Sequence, residues 1–89
     1  MIPETNICIG KRVRFLDTTD FGGKIHAGDT GTIVGRFMSS YDDCVIKVEW
    51  DRYVGGHTCD GLARSGFGWN VLSKSCDYIQ DLLNIEELI

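Results

Sequence analysis

The sequence lacks the long apolar run that a membrane-spanning helix requires. No apolar stretch approaches the about 18 residues that crossing a bilayer needs, so we expect no membrane as a partner. The first residues, MIPETNICIGKR, also lack a basic segment followed by an apolar one, the pattern of a secretory signal. We therefore expect a cytoplasmic location.

Positive charge is also scarce. Nine Lys and Arg residues face thirteen Asp and Glu residues, which leaves a net charge of −4. An acidic surface repels phosphate backbones and suits a basic protein surface or simple solubility, which weighs against nucleic acid as the main partner. One basic cluster keeps nucleic-acid binding open as an alternative: it contains Lys11, Arg12, Arg14 and Lys24.

The four cysteines lack the close spacing of a zinc site. Structural zinc sites bring their ligands in near pairs such as C-x2-C, whereas only His57 and Cys59 are neighbours here. Cys44 and Cys76 are expected to be core thiols. Two disulfides could form in three arrangements, but without a secretory signal we expect reduced thiols. We predict no metal and no cofactor.

Short alternating segments predict strands. Val13 and Phe15 alternate with arginines, residues 32–34 are all β-branched, and residues 44–51 alternate between an apolar and a charged face. The apolar face of this last segment is predicted to point inward; it carries Cys44, Ile46, Val48 and Trp50. Four or five such strands with glycine-rich turns predict a small all-β barrel of about five strands. We expect one domain over residues 1–89, with its core at about 10–80 and a short helical tail at 82–89.

The most informative stretch runs from Trp50 to Val71, where two tryptophans bracket a glycine-rich loop. Its aromatic residues could form a contact surface, or both tryptophans could lie in the core and hold the loop. Its two arginines could hold a phosphate or carboxylate, or could be solvated. The predicted binding residues are Trp50, Arg52, Tyr53, His57, Cys59, Arg64, Phe67 and Trp69.

Cys59 is also a candidate nucleophile, with His57 or His26 as its base. Such chemistry needs a lowered thiol pKa and a third group that orients the base. No spacing in the sequence fixes that geometry, although Asp51 or Asp60 could orient a histidine. We therefore predict no catalytic residues and a protein that is not an enzyme.

Several of these segments resemble a known architecture. GDTGTIV at 28–34, VEWD at 48–51 and GWNV at 68–71 resemble an SH3-like barrel, with a turn like those of KOW-type and Mind-bomb-type modules. GHTCDG at 56–61 followed by GFGWNV at 66–71 is similar to a hairpin of small uncharacterised proteins of phages and their bacterial hosts. The resemblance covers about residues 10–80.

The resemblance implies a non-enzymatic accessory protein that binds and modulates or inhibits a host protein, for example one of a defence system, in the host cytoplasm. Two alternatives stay open. One is a nucleic-acid-binding barrel, and the other captures a nucleotide in a pocket roofed by the glycine-rich loop and walled by Trp69. A homo-oligomer also stays open, since the apolar tail at 82–89 could dock on its own chain or on a second copy.

Overall fold

The structure, a computed structural model, describes residues 1–16 and 24–79. Two 3-10 turns, Glu4–Asn6 and Ser73–Ser75, flank the strands. The strands are β1 (Arg12–Phe15), β2 (Thr30–Met38), β3 (Cys44–Trp50), β4 (Gly68–Leu72) and β5 (Cys76–Tyr78). They form one antiparallel sheet in the order β4-β3-β2-β1-β5. The prediction of a small all-β fold with about five strands is confirmed, whereas the predicted helical tail at 82–89 lies outside the described residues.

The sheet is barrel-like but is not closed by hydrogen bonds. The second 3-10 turn carries the chain from β4, at one edge, directly to β5, at the other, where it pairs with β1. β4 and β5 do not pair with each other, because this turn carries the chain from one edge of the sheet to the other instead of reversing it into a hairpin.

Close packing of β2 on β3 depends on Gly31. A Cβ atom there would lie 2.6 Å from Val48 Cγ1 and 2.7 Å from the Glu49 carbonyl oxygen. A register shift between Ile33 and Gly35 adds a bulge to β2. Bulges increase local strand twist, so both features allow a sheet of five short strands to wrap around one core.

The core lies on the inward face of the sheet. Val13, Phe15, Ile46 and Val48 are fully buried, as their alternation predicted. Trp50 is 0% exposed and meets Phe15 edge to face, with ring centroids 6.2 Å apart and an interplanar angle of 87°. The remaining apolar members of the core are Ile2, Ile25, Ile33, Val54, Val71 and Cys76.

The N-terminal segment also contributes to the core. Ile2 lies outside the predicted core range, yet it is 2% exposed and its N–H donates to the Ser73 carbonyl at 3.2 Å. The Tyr78 hydroxyl accepts from the Cys8 N–H at 2.8 Å and so ties the same segment to β5. In the parts of the chain that the structure describes, no helix is long and apolar enough to span a bilayer.

Candidate functional site

The glycine-rich loop between β3 and β4 is pinned to the sheet by its own backbone. His57 and Gly68 exchange two hydrogen bonds of 2.9 Å and form an isolated bridge beside β4. The Trp50 N–H donates to the Phe67 carbonyl at 2.8 Å, and the Gly56 N–H donates to the Gly66 carbonyl at 3.1 Å. The loop is therefore an ordered extension of two strands, a rigid base for a binding site.

Two glycines let the loop fold tightly against itself. A Cβ at Gly56 would lie 2.0 Å from the Gly68 carbonyl oxygen. At Gly66 the backbone has a φ of +86°, which L-residues with a side chain rarely adopt, and a Cβ would lie 2.2 Å from the Tyr53 ring. The Tyr53 ring therefore packs directly against the backbone of Gly66, which has no side chain.

Tyr53 projects from the Gly66 backbone into solvent. Its side chain is 67% exposed, and its ring meets Phe67 edge to face at 5.6 Å and 85°. The guanidinium carbon of Arg64 lies 3.9 Å from the centroid of Phe67. Glu49 holds Arg64 by accepting its backbone N–H at 2.7 Å and pairing with Nε at 3.4 Å. Two rings and a guanidinium group are therefore layered at the surface.

A second group of side chains continues this layer. The His57 and Trp69 ring centroids are 5.2 Å apart with a tilt of 38°, and Lys24 Nζ lies 5.4 Å from the Trp69 ring centroid. A Cβ built on Gly55 would lie 3.8 Å from Lys24 Nζ and 4.0 Å from Tyr53 Cε1, so these two side chains are neighbours. The aromatic surface, as we name it, consists of Lys24, Tyr53, His57, Arg64, Phe67 and Trp69.

Arg52 does not contribute a free cation to the aromatic surface. Its guanidinium donates to both carboxylate oxygens of Asp29, at 3.1 and 2.6 Å, and to the Lys24 carbonyl at 2.7 Å. Burial alone would raise the pKa of Asp29, but hydrogen bonds from Arg52 and from the His26 N–H outweigh it and leave that pKa below its usual value. Arg52 therefore clamps the segment before β2 against the loop.

A second ion pair occupies Arg12, one member of the predicted basic cluster. Arg12 donates to Asp51 in a two-point contact, with NH1 to Oδ1 at 2.7 Å, and the Thr30 hydroxyl donates to the same carboxylate at 2.5 Å. The hydrogen bond from Arg12 holds the pKa of Asp51 below its usual value despite partial burial. Arg12 is thus already bound within the fold, while Lys24 lies at the aromatic surface.

The environment of Cys59 is the opposite of an activated nucleophile. The residue is 2% exposed, and desolvation raises the pKa of its thiol. The thiol donates to the Val48 carbonyl and to Asn70 Oδ1 at 3.8 and 3.6 Å. His57 Nδ1 accepts the Cys59 backbone N–H at 2.9 Å, not the thiol proton. His57 thus supports the turn at Cys59, where φ is +49°.

The cysteines are dispersed and unpaired. Cys8 is exposed, Cys44 is half-buried, and Cys59 and Cys76 are buried, all as free thiols. Burial raises the pKa of Cys76 to about 12. Within residues 1–16 and 24–79, no three His, Cys, Asp or Glu side chains lie together in a way that could hold a metal ion.

The glycine-rich loop does not hold out its N–H groups as a phosphate cradle would. Most of them donate within the loop or to a neighbouring strand, so they are not available to an anion. The donating residues are Val54, Gly56, His57, Cys59, Gly61, Leu62, Ala63, Arg64, Phe67 and Gly68. The nucleotide pocket under the loop stays a prediction, which these N–H groups do not support.

Two clefts in the described part of the chain lie away from the aromatic surface. One, of about 150 Å³, lies between the first 3-10 turn and the β2–β3 hairpin and is lined by Glu4, Arg36, Phe37, Met38 and Cys44. The other is lined in part by Met1, Leu16, Lys74 and Ser75. Neither includes a residue of the aromatic surface, which is an open face.

The structure therefore divides the predicted binding residues into two groups. Tyr53, His57, Arg64, Phe67 and Trp69 come together on the aromatic surface. Trp50 and Cys59 lie in the interior, and Arg52 is held in an ion pair, so none of these three presents a free contact group. Lys24 joins the surface although nothing in the spacing of the sequence connects it to Trp69.

Comparison with protein-family models, with curated proteins and with solved structures found no match for this chain. The resemblance to SH3-like barrels thus stays a prediction that rests on the residues quoted for it. The five-stranded all-β fold stands independently, on the sheet itself.

Proposed function

We propose that this protein is a non-enzymatic binding module that docks on another protein through the aromatic surface. The observation that carries the proposal is the exposed Tyr53 ring, which packs on Phe67 and on the backbone of Gly66, while Arg64 stacks on Phe67. Tyrosine, tryptophan and arginine are enriched among the residues that dominate binding energy at protein interfaces. A ring that is already held in place loses little conformational entropy when it binds.

The shape and chemistry of the surface support a macromolecule over a small ligand. Small-molecule sites are concave and bury most of their ligand, whereas Tyr53 projects outward. The buried, unactivated thiol of Cys59 and the position of His57 support a binding role over a catalytic one. The surface is thus suited to a complementary face of a partner.

The partner we propose is a protein of a bacterial host, including a component of a defence system, whose activity this protein modulates or inhibits in the host cytoplasm. This part of the proposal rests on the resemblance of the loop and β4 to small phage proteins. The small size of the chain and its net charge of −4 suit attachment to a larger protein with basic regions.

Affinity capture from a bacterial lysate, with mass spectrometry, tests the proposal. We expect the wild-type chain to retain a specific protein, and the double variant Tyr53→Ala/Arg64→Ala to retain more than about tenfold less of it, because both substituted groups are interface anchors. Tyr41→Ala is the matched control: that tyrosine is 86% exposed and lies outside the aromatic surface. Equal recovery by all three chains, or recovery of nucleic acid without protein, would overturn the proposal.

A further inference from the structure

Among the described residues, ion pairing around the aromatic surface leaves one cation without a carboxylate partner. The carboxylates nearest the glycine-rich loop are each matched with a basic side chain, in the pairs Glu49–Arg64, Asp29–Arg52, Asp60–Lys47 and Asp51–Arg12. Lys24 is different, since no carboxylate of the described residues lies within 4 Å of its Nζ. Its ammonium group instead lies over Trp69 and beside Tyr53.

The local charge therefore differs in sign from the charge of the whole chain. The net charge of the protein is −4, yet among the described residues the surplus charge at the aromatic surface is positive and lies beside the exposed ring of Tyr53 and the partly buried ring of Trp69. Complementary potentials across an interface favour the matching partner and disfavour others. A group that fits here combines an apolar or aromatic side chain for Tyr53 and Phe67 with a negative charge for Lys24.

We propose that the aromatic surface recognises a peptide segment of its partner in which an Asp or Glu stands close to an aromatic or aliphatic residue. The apolar side chain packs on Tyr53 and Phe67, and the carboxylate pairs with Lys24 Nζ. This inference rests on the proposed function and specifies the partner chemistry at the same surface.

A nucleic acid fits the surface less well than an acidic peptide does. Phosphate backbones are bound by several cations at once, whereas Lys24 is the surplus cation of this surface. Asp51 begins the same loop and Asp60 lies in its middle; their carboxylates are 48% and 80% exposed and would repel a polyanion. One or two carboxylates of a peptide, placed at Lys24, avoid this repulsion.

Selection of a displayed random-peptide library on the purified full-length chain tests the inference. With the wild-type chain we expect enrichment of sequences that place Asp or Glu next to aromatic or aliphatic residues. With Lys24→Glu we expect the acidic preference to disappear and the apolar preference to stay. A synthetic peptide selected by the wild-type chain should bind Lys24→Glu about fivefold more weakly, the effect of one exposed charge pair.

Two further chains make the result interpretable. Lys74→Glu changes the net charge by the same amount at an exposed side chain that lines a cleft with Met1 and Leu16 and is not part of the aromatic surface, and it should select the same peptides as the wild type. Tyr53→Ala should lose the enrichment altogether. Lys24→Gln, which removes the charge without reversing it, should give a smaller loss than Lys24→Glu.

The outcomes separate the inference from the proposed function. Enrichment of apolar peptides without acidic residues, sensitive to Tyr53→Ala and insensitive to Lys24→Glu, overturns the charge inference and leaves the binding module intact. No enrichment, or enrichment that Tyr53→Ala does not change, overturns both. Retention of a random single-stranded oligonucleotide in preference to every peptide also overturns both, in favour of nucleic-acid binding.

Discussion

Two aromatic pairs of nearly identical geometry lie in different environments, one in the core and the other at the surface. Phe15 and Trp50 meet edge to face at 6.2 Å and 87°, and Tyr53 and Phe67 meet edge to face at 5.6 Å and 85°. The first pair is fully buried, whereas Tyr53 of the second is mostly exposed. Because apolar burial stabilises folding roughly in proportion to area, the first pair stabilises the fold and the second is free to bind.

The backbone beneath each pair explains the difference. Trp50 ends a strand whose inward face is covered by the rest of the sheet, so its ring has no route to solvent. Tyr53 follows that strand by three residues and rests on Gly66 outside the sheet. Position relative to the end of β3, and not residue type, decides which ring is available to a partner.

The largest expected effect comes from removing the buried ring. Trp50→Ala should destabilise the protein by about 3–5 kcal/mol, because it leaves a cavity beside Phe15 and removes a hydrogen bond of 3.2 Å to the Trp69 carbonyl. Tyr53→Ala should cost less than about 1 kcal/mol, since its ring is largely in water. Urea denaturation of both variants measures the contrast; comparable losses of stability would show that the two pairs do not differ as described.

A smaller effect is expected at Gly66, against which the Tyr53 ring packs. Gly66→Ala should cost about 1–3 kcal/mol and displace the Tyr53 ring, because the new methyl group combines a φ of +86° with a clash of 2.2 Å. Near-ultraviolet circular dichroism and urea denaturation report the displacement and the cost.

Gly61→Ala is the matched control for that substitution. Gly61 has a φ of +88° but nothing within 4 Å of a new Cβ, so it carries the backbone strain without the clash. Gly66→Ala should therefore be the more destabilising of the two and the only one to weaken binding at the aromatic surface. Equal effects of both variants would mean that Gly66 acts through its backbone alone.

The smallest effect concerns the acidic clamps beside the aromatic surface. The pKa values of Asp29 and Asp51 are lowered in the folded protein. Their contribution to stability is thus present above the unfolded pKa of about 4 and is lost as pH falls through the lower folded values. We expect the urea concentration at the unfolding midpoint of the wild type to decrease as the pH falls below about 4. In Asp29→Asn it should decrease less steeply. An unchanged slope would show that the Arg52–Asp29 pair adds no pH-dependent stability.

Alternation along the chain was sufficient to predict the strands and much of the core. The inward positions of Val13, Phe15, Ile46 and Val48 follow from a period of two, a local property of an extended chain. For the same reason, no local pattern separated the predicted binding residues that lie on the aromatic surface from those that do not. Arg52 and Tyr53 are adjacent in sequence, but the partly exposed Arg52 is held in an ion pair with Asp29, whereas Tyr53 is an exposed ring.

The sequence by itself determined that this chain forms strands, which side chains of β1 and most of those of β3 face inward, and that glycines shape the loop after β3. These properties depend on neighbouring residues and on backbone sterics. Only the tertiary structure decided that Lys24 lies over Trp69, that Arg52 is bound by Asp29, and that Cys59 is buried. Each of these depends on contacts between segments distant in sequence, which no local pattern encodes.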